Sequence, residues 1–226
     1  MSERALVAID GIDGSGKSML ADRLIDALEA DGVAAALFRV DDFRRALDWT
    51  RTDRREVDLY YDDYFDLLAL DRCLRDFRAG APFVEVTPVD LATGRAQAAR
   101  RIALRGVSLA VVEGVFVRRL PSVTEAGAVI VVETTPAEAR RRLLARDAAK
   151  GRSQAEIAHR IAARYFPAQD RYREALDPRA SPAVVIDNER PAAARLLRLD
   201  EARVPAPVTA ALLRLLGPAA AAPARW

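Results

Sequence analysis

The 226-residue chain contains one cysteine, Cys73, and one histidine, His159. A lone cysteine excludes an intrachain disulfide and a cysteine-built metal cage. A lone histidine removes Ser-His-Asp triads, His-ligated zinc and most histidine general bases from consideration. Acid–base chemistry is left to carboxylates, Arg, Lys, Tyr or the thiol. Cys73 and His159 themselves read as plain structural residues. Lysine is nearly as scarce: Lys17 and Lys150 are the only two, and every other basic residue is arginine. No apolar run approaches the ~18 residues of a membrane-crossing helix. The start, Met1-Ser2-Glu3-Arg4, lacks the pattern of a secretory signal, so a cytoplasmic setting is the expectation. Net charge is only +2. That excess is too small and too dispersed for a nucleic-acid footprint, so the arginines are expected on a solvated surface, with neither nucleic acid nor membrane as partner.

What remains is an ordinary globular composition, 51% hydrophobic and 30% charged, with length enough for one well-cored domain. Apolar runs alternate with helix-period segments, the pattern of a parallel sheet covered by helices. Strands are expected at 5–9, 33–40, 107–112, 128–132 and 184–186. Helices are expected at 19–30, 60–77, 136–150, 154–176 (bent near Pro167) and 207–216. The segment 81–105, with Pro82, Pro88 and Gly94, is expected to be irregular strand and loop on the substrate side. The chain reads as a single α/β domain over 1–216, with an insertion at about 60–105 and an Ala/Pro-rich, frayed tail at 217–226.

Gly11-Ile12-Asp13-Gly14-Ser15-Gly16-Lys17-Ser18 satisfies G-x-x-x-x-G-K-[ST] in full. With this composition the pattern arises by chance at a frequency on the order of 10⁻⁴. A strand leads in and an amphipathic helix follows, as the mechanism needs. Glycines let backbone N–H groups approach phosphate oxygens, and the helix N-terminus adds positive potential there. In this P-loop Lys17 is expected to reach the β- and γ-phosphates and Ser18 to ligate Mg²⁺. Gly11, Asp13, Gly14, Ser15, Gly16 and Met19 complete the expected nucleotide contacts.

Further acids fall at the C-terminal ends of expected strands, the ends that face the ligand crevice of an open parallel sheet. They are Asp41 and Asp42 in Val40-Asp41-Asp42-Phe43, and Glu113 in Val112-Glu113-Gly114. A carboxylate at such a position can take a proton from an attacking hydroxyl or bind Mg²⁺. The simpler alternative for Asp41 and Asp42 is a turn cap. Tyr60-Tyr61-Asp62-Asp63-Tyr64-Phe65-Asp66 follows, then the basic helix Arg140-Arg141-Arg142-Leu143-Leu144-Ala145-Arg146-Asp147 with Lys150-Gly151-Arg152. Arginine forks suit the charge that spreads over a transferring phosphoryl group, and a mobile Arg-rich helix can close over the site and exclude water. The plain alternative is a solvated helix face paired with Glu138 and Asp147. Of Tyr60, Tyr61, Tyr64 and Phe65, most are expected in the core, with one ring touching substrate.

This ordered set resembles the uridine kinase family, whose relatives include phosphoribulokinase and bacterial pantothenate kinase, over most of residues 5–188. The resemblance implies a P-loop, three-layer α/β/α fold with a mainly parallel sheet of five strands and a helical Arg-rich lid at about 136–153. It implies ATP (or another NTP) as donor, Mg²⁺, and a small acceptor bearing a hydroxyl, in a monomer or homo-oligomer. Asp41 would be the general base, and Asp42 stands where serine is usual. Ser18, Glu113 (directly or through water) and Asp41 would hold Mg²⁺. Phe43, Tyr61 and Asp62 would meet the acceptor. Arg142, Arg146 and Arg152 would close on the phosphates, Arg146 matching best. Uridine-specific relatives read the base with an aromatic residue and a histidine. The matching stretch here, Pro88-Val89-Asp90-Leu91-Ala92-Thr93-Gly94-Arg95, has neither, which leaves Asp90 and Arg95 as its polar candidates. The acceptor is expected to be nucleoside-like. The alternatives are a non-nucleoside alcohol, such as a sugar or a vitamin precursor, or a regulatory nucleotide-binding module without an acceptor.

Overall fold

The computed structural model describes residues 4–50, 53–177 and 180–219. Its centre is built from runs too apolar to alternate. In β1 (Ala5–Asp10) five of six residues are buried, and in β5 (Leu109–Glu113) all five are. Such runs fit strands covered on both faces. With β2 (Ala35–Arg39), β6 (Gly127–Glu133), β7 (Val184–Asp187) and β8 (Arg195–Leu199) they form one sheet in the order β2-β5-β1-β6-β7-β8. The first five strands are parallel, and β8 pairs antiparallel with β7. The expectation of five strands is thereby corrected to six. In β8, Leu196 is fully buried while Arg195 and Arg198 face solvent, so the strand closes one edge of the sheet.

Alternate side chains of β1 divide the core. Leu6 and Ala8 join a cluster with Phe38, Leu74, Phe77 and Phe116 on one face. Val7 and Ile9 join Leu24, Leu28, Val208 and Leu212 on the other. The second cluster is supplied by α1 (Lys17–Ala30) and α8 (Ala206–Leu216), the first partly by α3 (Leu67–Arg78) and α4 (Pro121–Ala126). The result is a three-layer α/β/α fold.

The helix expected at 60–77 is two pieces. A short α2 (Glu56–Asp58) continues as a π-turn over Leu59–Asp63, and α3 starts afresh after Asp66, whose carboxylate accepts from the Ala69 N–H at 2.9 Å. The segment expected to be irregular contains a hairpin, β3 (Phe83–Val86) against β4 (Arg100–Ala103), with Val84 and Val86 turned inward. The basic helix α5 spans Pro136–Ala148. After it come α6 (Gln154–Arg160), a π-turn at Ile161–Tyr165 and α7 (Phe166–Ala175). The bend expected near Pro167 falls at that π-turn, where the Phe166 N–H bonds back to Ile161 O. Proline offers no N–H to continue the regular ladder, and the widened turn takes up the mismatch. Leu143 of α5 packs on Ile157 and Ile161, so α5 and α6 share a small core of their own. The frayed tail expected at 217–226 lies outside the described residues from 220 onward. Among the described residues no helix is long and apolar enough to cross a membrane.

Candidate active site

The loop between β1 and α1 is shaped by positive backbone angles. Gly16 sits at φ +99 with Asn188 against it: a Cβ there would stand 2.3 Å from Asn188 Nδ2. Asn188 in turn donates to Ser15 O at 2.6 Å. The loop opens into a cleft of about 240 Å³ whose lining includes Lys17, Ser18, Asp41, Glu113 and Arg146. Three strand ends meet there because β2, β5 and β1 are parallel neighbours: Arg39 and Ile9 both lie beside Glu113 in register.

Lys17 is buried, and its Nζ donates to Ile12 O at 2.8 Å, folded over its own loop. Ser18 Oγ donates to Glu113 Oε1 at 3.1 Å. Burial pushes the Glu113 carboxyl up, with the Asp41 carboxylate adding to the rise; Lys17, Arg39 and the Ser18 hydroxyl act against it. Asp41 lies with Asp42 in a short 3₁₀ segment, Val40–Phe43, and is mostly exposed; its nearest charged partner is Arg44, 3.7 Å away. Asp42 is tied to Arg100 of the hairpin. A hydroxyl and two carboxylates around one opening are the oxygen donors that Mg²⁺ prefers, with water completing its shell. The residues present therefore fit that ion.

Two acids of the loop are anchored from behind. Asp10 accepts from the Gly11 N–H at 2.8 Å and from the Tyr172 hydroxyl at 3.0 Å. Its burial raises its pKa against those two donors. Asp13 accepts from the Tyr60 hydroxyl at 2.9 Å and from Gln169 Nε2 at 2.6 Å. Helix α7 thus bolts onto the phosphate loop through Gln169 and Tyr172. Neither residue stands out in the sequence except as a polar pair three apart on a helix face that is otherwise apolar.

The arginines divide by task. Arg142 donates its Nε to Glu138 at 2.8 Å and spends both Nη groups on carbonyls: Gly14 O and Ser15 O at 3.3 Å, Asn188 O at 2.7 Å and Glu189 O at 3.0 Å. It ties the loop to the end of β7. Arg146 lines the cleft and donates to the buried Asp147 at 2.8 Å. Arg152 pairs with the other oxygen of Asp147 at 3.2 Å and lies outside the cleft lining.

The acceptor-side residues are scattered. Phe43 is buried in the core. Tyr61 has two guanidinium groups against its ring, Arg119 at 4.0 Å from the ring centre and Arg171 at 4.1 Å. Asp62 pairs with Arg54 and Arg171. Asp90 caps its own turn through the Ala92 and Thr93 N–H groups, both 2.9 Å, and Arg95 is exposed in the same turn. Tyr60 and Tyr64 stack 5.4 Å apart, and burial pushes both hydroxyls up, with the Asp41 charge a small addition. Phe116, fully buried, is the one non-glycine residue described with positive φ, +65. It follows Glu113-Gly114, where a bulky residue in that conformation costs energy.

The fold and the glycine loop define a P-loop α/β protein. Its shape matches solved structures of small-molecule kinases. A candidate uridine kinase from Bacillus stearothermophilus aligns with a TM-score of 0.62 at 22% identity, covering 82% of this chain and 89% of that one. A candidate fructose transport system kinase from Silicibacter sp. TM1040 aligns with a TM-score of 0.62 at 24% identity, covering 79% and 88%. D-glycerate 3-kinase from Cryptococcus neoformans var. grubii aligns with a TM-score of 0.57 at 14% identity, covering 84% and 88%. No protein-family model and no curated protein matches the sequence.

Proposed function

We propose that the protein is a phosphotransferase that moves the γ-phosphoryl group of ATP to a hydroxyl of a small acceptor. The observation that carries this reading is one cleft holding Lys17 and Ser18 of the phosphate loop opposite Asp41 and Glu113. Loop N–H groups and the start of α1 receive the phosphates. Lys17 leaves Ile12 O for the β- and γ-phosphate oxygens. Mg²⁺, held by Ser18 and by Glu113 and Asp41 directly or through water, would supply neutralising charge to those oxygens. Asp41, exposed at the mouth, takes the proton of the acceptor hydroxyl. Arg146 offers its free N–H groups to the transferring group while Asp147 fixes its stem. Helix α5 carries that arginine, and the segment at about 136–153 would serve as the lid.

The acceptor is a nucleoside-like molecule in the first reading. One observation favours the second, a sugar or other non-nucleoside alcohol: the turn at Val89–Arg95 presents no ring and no histidine to a base, and Asp90 is spent on its own backbone. Two of the three solved structures above are named for a sugar-transport kinase and a glycerate kinase. A panel of nucleosides, sugars and hydroxy acids with ATP and Mg²⁺ separates these. Asp41→Asn should lower kcat roughly 10²-fold with ATP binding retained, from general-base magnitudes. ATP binding with no acceptor phosphorylated would favour a regulatory module, and unchanged turnover in the variant would remove Asp41 from the chemistry.

A further inference from the structure

Arg39 lies outside the cleft wall, yet it touches the cleft's most buried acid. It ends β2 directly beside Glu113 in the parallel register. Its Nη1 donates to Glu113 Oε1 at 3.1 Å, and its Nη2 reaches Asp22 on α1. Ser18 Oγ donates to the same Oε1, also at 3.1 Å. Two donors on one oxygen fix the carboxylate plane and leave Oε2 for a cation or its water. The Glu113 side chain is only 5% exposed, and Asp41 is close enough to repel it. Lys17 is the other nearby cation, and the phosphates would draw it away from Glu113.

We propose that Arg39 is a positioning residue for the Mg²⁺ site, holding the Glu113 carboxylate in place and balancing its charge once Lys17 has turned to the nucleotide. The inference rests on the phosphotransferase reading above. It concerns a residue that contacts neither nucleotide nor acceptor and acts through Glu113. Neighbours that orient a metal ligand typically change metal affinity 10- to 100-fold when removed.

The test is binding of a fluorescent ATP analogue, titrated with Mg²⁺ and repeated in EDTA, for the wild type, Arg39→Gln and Arg39→Lys. Arg39→Gln should need about tenfold more Mg²⁺ or beyond for half-maximal tightening, with affinity in EDTA unchanged. Arg39→Lys should recover most of the loss, since an ammonium can still reach Glu113. An unchanged Mg²⁺ requirement in Arg39→Gln would overturn the proposal. So would an equal loss in EDTA, which marks Arg39 as a fold residue only. Asp22→Asn frees the outer end of Arg39 without touching the carboxylate. It should raise the Mg²⁺ requirement several-fold, and no rise overturns the proposal where Arg39→Gln does not fold. If the wild type binds the analogue no better with Mg²⁺ than with EDTA, the phosphotransferase reading itself fails. If the wild type tightens with Mg²⁺ and the Arg39 variants tighten at the same concentration, that reading stands and this inference falls.

Discussion

Tyr172→Phe removes one oxygen atom from behind the phosphate loop, and its cost follows from what that oxygen does. The hydroxyl donates to Asp10 Oδ2 at 3.0 Å and accepts from the Arg118 N–H at 3.1 Å. Asp10 is 4% exposed, so its abandoned oxygen finds little water. Leaving a buried polar group unsatisfied costs about 1–3 kcal/mol, and the half-buried Arg118 N–H adds a smaller amount. A total of about 2–4 kcal/mol should lower Tm by roughly 5–12 °C in a chain of this size. The loss should also depend on pH. The Asp10 carboxyl is already raised by burial, and the tyrosine is one of the groups holding it down. For an acid whose folded pKa lies above its unfolded value, stability is full below the unfolded value and is lost as pH rises through the folded one. Removing the donor raises the folded value further. Tyr172→Phe should therefore be more harmful above the Asp10 titration than below it, where a protonated carboxyl needs less help. Scanning calorimetry of both proteins from neutral to acid pH reads this directly. A variant with wild-type Tm at neutral pH, or one hurt more in acid, would refute the reasoning. Because α7 anchors the loop, binding of an ATP analogue should weaken alongside.

Much of this arrangement can be read from the chain, for identifiable reasons. The central strands show because burial on both faces demands unbroken apolar runs such as Leu109–Val112. Parallel strands point their C-terminal ends the same way, so an acid just after an apolar run, as at Asp41 or Glu113, is placed at the crevice by topology alone. The phosphate loop is legible because its backbone angles need glycine at Gly14 and Gly16. What escapes is long-range pairing. Tyr172 finds Asp10 across 162 positions, and Gln169 finds Asp13 across 156. Nothing local in the sequence records these bonds. Tyr61 misleads in the opposite way. The aromatic–acid sequence suggests a ring open to substrate, but Arg119 and Arg171 arrive from distant elements and stack against it. The edge strand β8 escapes because Leu196 is its only buried side chain. The split between α2 and α3 could have been anticipated at Asp66, an N-capping residue directly before Leu67-Leu68-Ala69-Leu70.

Arg146→Ala should lower kcat by roughly 10²-fold or more, and it should also lower Tm, because Arg146 Nε makes the hydrogen bond to the buried Asp147 carboxylate and Arg152 adds only an ion pair at 3.2 Å. Steady-state kinetics with thermal melting check both halves, and an unchanged kcat removes Arg146 from the chemistry. Glu138, held by Arg141 and Arg142 down to a pKa of about 2, supplies stability that is present above the unfolded carboxylate value and lost as pH falls from about 4.5 toward 2. Glu138→Gln should flatten the acid limb of the melting profile in that window, and an identical limb contradicts the pairing. Gly16→Ala tests the loop itself. At φ +99 a Cβ costs about 1–2 kcal/mol in backbone strain. It also collides with Asn188 Nδ2 at 2.3 Å. If Asn188 swings away, its bond to Ser15 O is lost, at about 1 kcal/mol more. The sum, about 2–3 kcal/mol, corresponds to a Tm drop of roughly 5–10 °C, accompanied by loss of nucleotide binding. The collision and the strain separate in a double-mutant cycle. Asn188→Ala removes the atom that the new methyl strikes, so the double variant should be less destabilised than the sum of the singles. Strict additivity would mean that the two residues do not meet, and wild-type nucleotide affinity in Gly16→Ala would mean that the phosphates bind somewhere other than this loop.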